Sequence, residues 1–265
     1  MPLRERSDLR DGGLQKGRRF ASSVVAAVTL SASSAALAGP PYLSDDPQPT
    51  DLGHWEIYNF AIGAGAPGNL AGEAGFDINY GAAKDLQLTA VLPLAFESAR
   101  GFSLDGLRGG PGDVELAAKY RFLHQADGSW TPDVAFFPRL FTPTADHLLG
   151  TGKLGLLAPI WAQKDFGPWS VFGGGGYQIN PGADQRNFWQ GGVAISRSLG
   201  ERLSLGAEVY AQTRDTVTGG DSRMINLATT YKFTQHWSLL ASAGPAWENS
   251  HSDGYVFYLA LKADY

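Results

Sequence analysis

Hydrophobic and polar residues alternate along most of the chain beyond residue 53. A period of two indicates a β-strand, because successive side chains of a strand point to opposite faces. The same alternation recurs over 73–80, 203–214 and 255–265, and no helical pattern of comparable length appears. The clearest run is 113–122, in which the apolar positions are Val114, Leu116, Ala118, Tyr120 and Phe122 and the others are Asp113, Glu115, Ala117, Lys119 and Arg121.

Twelve segments are predicted as strands, each about ten residues long, the length that a tilted strand needs to cross a bilayer. Tight links such as 82–85 and 234–237 alternate with longer ones such as 96–112 and 142–152. Short periplasmic turns and longer outer loops produce this rhythm in membrane barrels. The sequence therefore predicts an all-β fold, a closed antiparallel transmembrane β-barrel of about twelve strands over residues 53–265. The segments are 53–62, 72–81, 86–95, 113–122, 132–141, 153–162, 169–179, 187–197, 203–213, 223–233, 238–248 and 255–265.

The charged face of these strands distinguishes the inside of the barrel from the outside. A charge on the lipid face at the middle of the membrane costs about 2–4 kcal/mol. We therefore predict that Val114, Leu116, Tyr120 and Phe122 face lipid. The predicted lumen lining is Glu73, Asp77, Asp113, Glu115, Lys119, Arg121, Phe137, Phe172, Glu208, Tyr210 and Tyr258.

Two roles are open for the lumen charges. Lys119 and Arg121 can select among passing solutes, or they can brace the barrel by pairing with Glu115 and Asp77. Most lumen charges in barrels of this kind are expected to brace the wall.

Tryptophans fall near the ends of the predicted strands, where an indole prefers the boundary between lipid and water. Trp189 and Trp247 are predicted at the outer ends, whereas Trp55, Trp130, Trp161, Trp169 and Trp237 are predicted at the periplasmic ends. Arg197 is an exception to the pattern, because strict alternation points it toward lipid. It lies at a strand end, where a long side chain can extend to the water boundary.

The first 38 residues have the pattern of an export signal. Arg18 and Arg19 precede an Ala/Ser/Val-rich core, and Ala36-Leu37-Ala38 forms a cleavage site before Gly39. The arginine pair fits both an ordinary signal and a twin-arginine signal. Residues 39–52 are rich in proline, and the sequence leaves open whether they form a plug inside the lumen or a periplasmic segment.

Composition narrows the function classes. The 265 residues include 34 Gly and no Cys, which excludes disulfides, thiolate catalysis and lipid attachment at Cys. A mean hydropathy of −0.16 is too polar for a helical membrane protein. The net charge of −5, which becomes more negative once the basic leader is removed, makes a nucleic-acid partner unexpected.

Candidate chemistry is sparse. Gly63, Gly65 and Gly68 match a dinucleotide-binding spacing, but that motif must open a helix and here it leads into another strand. His147 with Asp146, and His251 with Ser250 and Asp253, lie in predicted outer loops, where outer-membrane hydrolases place catalytic groups. Solvated loop residues are the better interpretation. We expect no enzyme activity, no catalytic residue, no cofactor and no metal site.

Several motifs in order resemble the family called "MetA-pathway of phenol degradation". Pro40–Pro47 with Gly53–Ile57 resembles its beginning, and Asp77–Gly81, Asp85–Leu88 and Leu92–Leu94 resemble its next hairpin. The resemblance extends over about residues 40–180, through Gly112–Leu116, Lys119–Phe122, Pro143-Thr144, Gly150–Gly152 and Gln163–Trp169. It implies an outer-membrane barrel and transporter, linked with uptake of aromatic or hydrophobic compounds, and it carries no catalytic residues.

The expected function is passage of small solutes, including aromatic or hydrophobic compounds, across the outer membrane of a Gram-negative cell. The expected partners are outer-membrane lipid, the solute and the barrel assembly machinery during biogenesis. One alternative is a structural or adhesive barrel with a closed lumen. Another is an outer-membrane enzyme that modifies lipids.

Overall fold

The computed structural model describes residues 40–66, 68–99, 101, 106–145, 149–249 and 251–265, with the backbone alone for 251–253. The predicted signal, residues 1–38, lies outside this part of the chain. No helix among the described residues is long and apolar enough to cross a membrane. The strands are β1 Trp55–Ala66, β2 Asn69–Ala83, β3 Leu86–Ser98, β4 Leu107–Pro111, β5 Glu115–Leu123, β6 Asp133–Phe136, β7 Arg139–Phe141, β8 Gly155–Phe166, β9 Trp169–Ile179, β10 Phe188–Ser198, β11 Leu203–Gln212, β12 Ser222–Lys232, β13 Trp237–Glu248 and β14 His251–Asp264.

The strands form one antiparallel sheet that closes on itself. β1 pairs with both β2 and β14, and β3 pairs with β4 along one part of its length and with β5 along another. β6 and β7 lie in sequence between β5 and β8 and pair with both. β4 with β5, and β6 with β7, are therefore two interrupted strands, and the described residues form a closed barrel of twelve strands. The predicted architecture is confirmed.

Both interruptions lie beside prolines of the neighbouring strands. Proline has no N–H to donate to a ladder, so pairing weakens where it enters a sheet. At the first break, between β4 and β5, the Gly112 N–H donates to the Pro93 carbonyl of β3 at 2.9 Å. At the second, between β6 and β7, the Phe137 N–H donates to the Pro159 carbonyl of β8 at 3.2 Å, and Pro138 follows directly.

The strands are longer than predicted at one end of the barrel. We call the end that holds Trp55 and Tyr265 the terminal end and the opposite end the loop end. β1 and β2 extend until only residues 67–68 separate them, and β13 and β14 until only 249–250 do. The predicted longer outer links are therefore wrong for these two hairpins, although 99–106, 142–154, 180–187 and 213–221 are longer, as predicted.

The outer surface is apolar, and its residues are those that alternation assigns to lipid. Leu116, Tyr120 and Phe122 are about half exposed. Glu115 and Lys119, at the alternate positions of the same strand, are buried inside the barrel. Trp55 packs on Tyr80 at the terminal end, and Trp189 packs on Tyr177 at the loop end. An apolar belt bounded by aromatic rings is the surface of a barrel that spans a bilayer.

The prediction for Trp161 is wrong. Its side chain is 3% exposed and points into the lumen, between the inward residues Pro159 and Gln163. Trp161 lies opposite Gly174 of β9, where the absence of a side chain leaves room beside the indole. The position of Trp161 near the end of its predicted strand suggested the membrane interface, but the alternation of β8 directs its side chain inward.

Candidate functional site

The lumen is the candidate functional site, and a stretch of the chain lies inside it. Residues 40–52, here called the N-terminal segment, precede β1 and run along the inner wall of the terminal half of the barrel. Pro41, Tyr42, Ser44, Asp46 and Pro47 are buried. Hydrogen bonds, ion pairs and ring contacts to the inner faces of several strands hold the segment.

Glu208 of β11 forms the deepest contact with the segment. Its carboxylate accepts the backbone N–H groups of Leu43 at 3.0 Å and Ser44 at 2.5 Å, and the Asn226 side-chain amide at 2.8 Å. Glu208 is 1% exposed and has no cationic partner among the described residues, so these donors are what offset its burial. The segment and the barrel wall are therefore bound through a charge-assisted network.

The Tyr42 ring lies beside this network. It packs edge-on against Phe172 of β9, with ring centroids 5.1 Å apart. Burial, and secondarily the charge of Glu208, raise the pKa of the Tyr42 hydroxyl, which therefore stays protonated at neutral pH. The hydroxyl end of Tyr42 lies against Gly206, where any Cβ atom would overlap it.

We expect Gly206→Ala to loosen the segment, because overpacking a filled interior costs about 1–3 kcal/mol, or roughly tenfold in an equilibrium. The chain has no cysteine, so a single Leu43→Cys substitution supplies a unique thiol whose maleimide labelling reports release of the segment. Labelling should be about tenfold faster in the Gly206→Ala background. The matched control is Gly155→Ala on the same inner wall, where a Cβ would have ordinary contacts at 3.5 Å. Equal labelling rates in the two backgrounds would contradict the packing described.

Cationic residues of β5 hold the middle of the segment. Lys119 Nζ lies 2.9 Å from an Asp45 carboxylate oxygen and 3.7 Å from one of Asp46. Arg121 donates to Asp85 of the β2–β3 turn at 2.8 Å and to the side chain of Gln48. The predicted bracing pairs with Glu115 and Asp77 are therefore wrong, because Lys119 and Arg121 bind the segment and the turn instead.

The carboxyl groups around these cations differ in pKa. Burial raises the pKa of Asp46 to about 6, although Lys119 and the Gln48 N–H, 2.7 Å away, lower it in part; Asp45 and Glu56 raise it further. Burial alone would raise the pKa of Asp85 as well, but its hydrogen bond to Arg121 and the Arg121 charge outweigh that effect and lower it.

Asp46 makes the stability of the barrel with its segment depend on pH. Because the pKa of Asp46 is about 6 in the folded state, against an ordinary value of 3.8, ionisation opposes folding. The penalty is absent below the lower value, grows between the two and is complete above about pH 6. We expect the unfolding temperature of the wild type, relative to Asp46→Asn, to fall as pH rises through this window. A difference between the two proteins that does not change with pH would contradict this assignment.

The base of the segment is held by polar side chains of β2 and β3. The Thr50 N–H donates to Gln87 Oε1 at 2.8 Å, and the Gln87 amide donates in turn to Asn79 at 2.6 Å and Thr89 at 2.9 Å. The Gln87 side chain is buried, and its carbonyl oxygen accepts its hydrogen bonds from Thr50 of the segment. Gly81 lies so close to the Asp51 carbonyl that no side chain fits there.

A second charged cluster lies beyond the segment, toward the loop end. Arg139 binds both carboxylate oxygens of Glu115, at 2.6 and 3.0 Å. The Phe137 ring lies between two cations, 4.8 Å from Lys119 Nζ and 5.4 Å from the Arg139 guanidinium carbon. Asp77 accepts a hydrogen bond from Asn79 at 2.9 Å. This cluster fixes the floor of the part of the lumen that the segment leaves empty.

Two cavities lie beyond the segment, each lined by described residues. One of about 170 Å³ is lined by Glu73, Asp113, Glu115, Lys153 and Phe141, among others. Within the described residues, Glu73 makes no hydrogen bond or ion pair, whereas Asp113 accepts the backbone N–H of Thr144 and Ala145. The other cavity, of about 1150 Å³, lies at the loop end between β1–β4 and β12–β14, where Leu70, Arg108, Met224, Trp247 and Tyr255 contribute to its lining.

All the sequence-predicted lumen residues lie on the inner face, but in three different surroundings. Lys119 and Glu208 contact the N-terminal segment, whereas Tyr210 lies near the loop end of β11 and donates to Gln190 at 2.7 Å. Tyr258 stacks on Phe60 with a centroid distance of 6.4 Å. Those that border the smaller cavity are Glu73, Asp113 and Glu115.

Sequence reasoning missed Arg139, which is the partner of Glu115. The signal was present, because Arg139 is two residues from the predicted lumen residue Phe137 and so shares its face. Gln87 and Asn226 were also missed, and their neutral side chains gave no charge contrast by which to find them. The segment's partners on the wall lie up to 201 residues away, as with the Ser242 hydroxyl that donates to the Pro41 carbonyl.

The candidate catalytic pairs receive no support. Asp146, His147 and Ser250 lie outside the described residues, and only the backbone is described for His251 and Asp253. Gly63 and Gly65 lie within β1 and Gly68 in the turn before β2, so no helix follows the glycine motif. No group of three or more His, Asp or Glu side chains in the described ranges is placed to hold a metal ion.

Comparison with known proteins shows the fold. The chain matches an outer membrane channel from Pseudomonas putida F1 with a TM-score of 0.64 and 14% identity, over 83% of this chain and 98% of that one. The CymD monoaromatic hydrocarbon channel aligns with a TM-score of 0.48 and 9% identity, over 83% of this chain and 90% of that one. The translocator domain of the autotransporter NalP from Neisseria meningitidis aligns with a TM-score of 0.48 and 12% identity, over 80% of this chain and 88% of that one.

No protein-family model matches the chain, and no curated protein matches its sequence. The resemblance to the phenol-degradation family therefore stays a prediction. The P. putida channel shares the barrel fold over almost its whole length. At this low sequence identity, the match supports a common fold and nothing further.

Proposed function

We propose that this protein is an outer-membrane channel for small solutes, with its N-terminal segment closing the periplasmic half of the lumen. One observation carries the proposal: a barrel with an apolar exterior keeps a cavity of about 1150 Å³ at its loop end, while a separate piece of chain fills the other half. A structural barrel with a closed lumen does not require such a cavity. A site for a solute is typically a concave space lined by apolar groups with a few polar ones.

The membrane location follows from the same surface. The terminal end faces the periplasm, since both described ends of the chain lie there and an even strand number keeps them together. Export requires the signal proposed for residues 1–38, so N-terminal sequencing of protein extracted from outer membranes should begin at or within a few residues of Gly39. Retention of Arg18 and Arg19 would contradict this.

The proposed solutes are small aromatic or hydrophobic compounds. The larger cavity has aromatic and aliphatic lining from Trp247, Tyr255, Leu70 and Leu107, beside the ion pair of Glu97 and Arg108 at 3.5 Å. Such a surface favours a ring with a polar substituent over a fully hydrated ion. The barrel assembly machinery is the proposed partner during biogenesis.

The proposed channel is tested in planar bilayers. The purified full-length barrel should give discrete single-channel steps, smaller than those of wide sixteen-stranded porins because twelve strands enclose a narrower lumen. A closed structural barrel is the second candidate, favoured by the tight packing of the terminal half. Absence of steps both in the full-length barrel and in a variant without the N-terminal segment would support that candidate and contradict the channel. Release of fatty acids from added phospholipid would instead indicate a lipid-modifying enzyme.

A further inference from the structure

Arg197 lies on the outside of the barrel, near the terminal end of β10. Ser196 before it is fully buried in the interior, whereas Ile195 is 43% exposed on the outer surface, so alternation points Arg197 outward. Its neighbours across the ladder are Trp169 of β9 and Leu205 of β11. An arginine thus lies at the edge of the apolar belt, among residues that face lipid.

The Arg197 guanidinium stacks on an aromatic ring and has no acceptor in the described protein. Its central carbon lies 5.1 Å from the centre of the Trp169 ring. No ion pair or hydrogen bond joins its side chain to any described residue. The inward arginines differ, since Arg121 binds Asp85 and Arg139 binds Glu115.

This geometry leaves the hydrogen-bonding edge of Arg197 exposed. A guanidinium carries five N–H donors in one plane, and stacking on a ring uses the face of that plane and not its edge. Donors without acceptors are costly at a water-poor boundary. The lipid headgroup region next to the apolar belt supplies one acceptor that matches the planar fork, the phosphate group.

We propose that Arg197 and Trp169 form a binding site for the phosphodiester group of a phospholipid in the periplasmic leaflet. The guanidinium binds two phosphate oxygens, and the indole beneath it holds the guanidinium in the plane of the headgroups. This site rests on the membrane location proposed above, but not on passage of solutes. Leu205 and the exposed Leu199 flank it with apolar surface for the start of the acyl chains.

Native mass spectrometry tests the site, using the full barrel in a maltoside detergent with added phosphatidylglycerol. The wild type should retain one lipid under collisional activation that Arg197→Gln loses, with an apparent affinity about tenfold lower in the variant. Trp169→Leu should weaken retention less. The matched control is Arg202→Gln, which removes an exposed arginine from the neighbouring β10–β11 turn and should leave retention unchanged.

Three results would overturn the proposal. Equal retention by the wild type and Arg197→Gln would show that the side chain binds no lipid. Equal loss in Arg202→Gln would show a general effect of charge, and displacement of the lipid by inorganic phosphate would indicate a site for the free ion. A heat-modified gel shift on each variant confirms that the barrel is folded. Conductance measurements test the channel separately, so failure of one proposal is distinguishable from failure of the other.

Discussion

Deleting residues 40–50 should raise the single-channel conductance by about tenfold, since an unfilled twelve-stranded lumen lies between packed eight-stranded and open sixteen-stranded barrels. The segment contacts β2, β3, β5, β9, β11 and β13 across the terminal half and so narrows the lumen there. The wall closes without it, because every strand pairing of the barrel is made by residues 55–264. Planar-bilayer recordings of the deletion variant give this value directly.

A graded variant separates the effect of the segment from damage to the barrel. Glu208→Gln keeps the shape of the side chain but removes the charge that accepts the Leu43 and Ser44 N–H groups. It should give brief openings to the conductance of the deletion variant. If the deletion variant folds, as its heat-modified gel shift reports, and conducts like the wild type, the segment does not close the pore.

Changing Glu73 to Gln should shift the selectivity of the full-length channel toward anions by about fivefold, because two unit charges about 4 Å apart interact by about 1 kcal/mol even in water. Glu73 borders the smaller cavity and, within the described residues, has no partner to neutralise it. Lys153 borders the same cavity and likewise has no ion pair there. Lys153→Gln is therefore the matched control and should shift selectivity toward cations. Reversal potentials in a salt gradient measure both.

The double change of Lys119 and Arg121 to Gln has a different expected result. These cations bind the segment and a turn, so their loss leaves Asp45 and Asp46 without their pairing cation and releases the segment. We expect a larger conductance and lower heat resistance, rather than the cation selectivity that alternation alone suggests for them.

For the single variant Glu73→Gln, unchanged selectivity with conductance steps still present would contradict the role assigned to Glu73.

The sequence was sufficient to predict the barrel because alternation is a local property. Charges at four of the five alternate positions from 113 to 121 determine which face is inside, and β5 has the predicted orientation. β9 spans Trp169–Ile179, as predicted. Prolines mark the exceptions, since Pro138 interrupts the strand predicted over 132–141 and leaves β6 and β7. Pro138 is evident in the sequence, but its effect on the pairing of this strand depends on Pro159 of the neighbouring strand β8.

The interior of the barrel was predictable only in part, because its contacts join distant parts of the chain. Proline-rich residues 39–52 were equally compatible with a plug inside the lumen and a periplasmic segment. Binding between Ser44 and Glu208 depends on the closed wall and on the lack of a side chain at Gly192, where a Cβ would lie 2.6 Å from the Ser44 hydroxyl. For the same reason Lys119 could be assigned to the lumen but not to Asp45.

Swelling of proteoliposomes in a series of solutes of increasing size, phenolic acids included, tests the central claim most directly. The full-length barrel should admit only the smallest solutes, and deletion of residues 40–50 should raise both the rate and the size limit. Arg197→Gln, whose change lies outside the lumen, should behave as the wild type. A folded deletion variant that admits no solute beyond those of the full-length protein would contradict a channel closed by its own N-terminal segment.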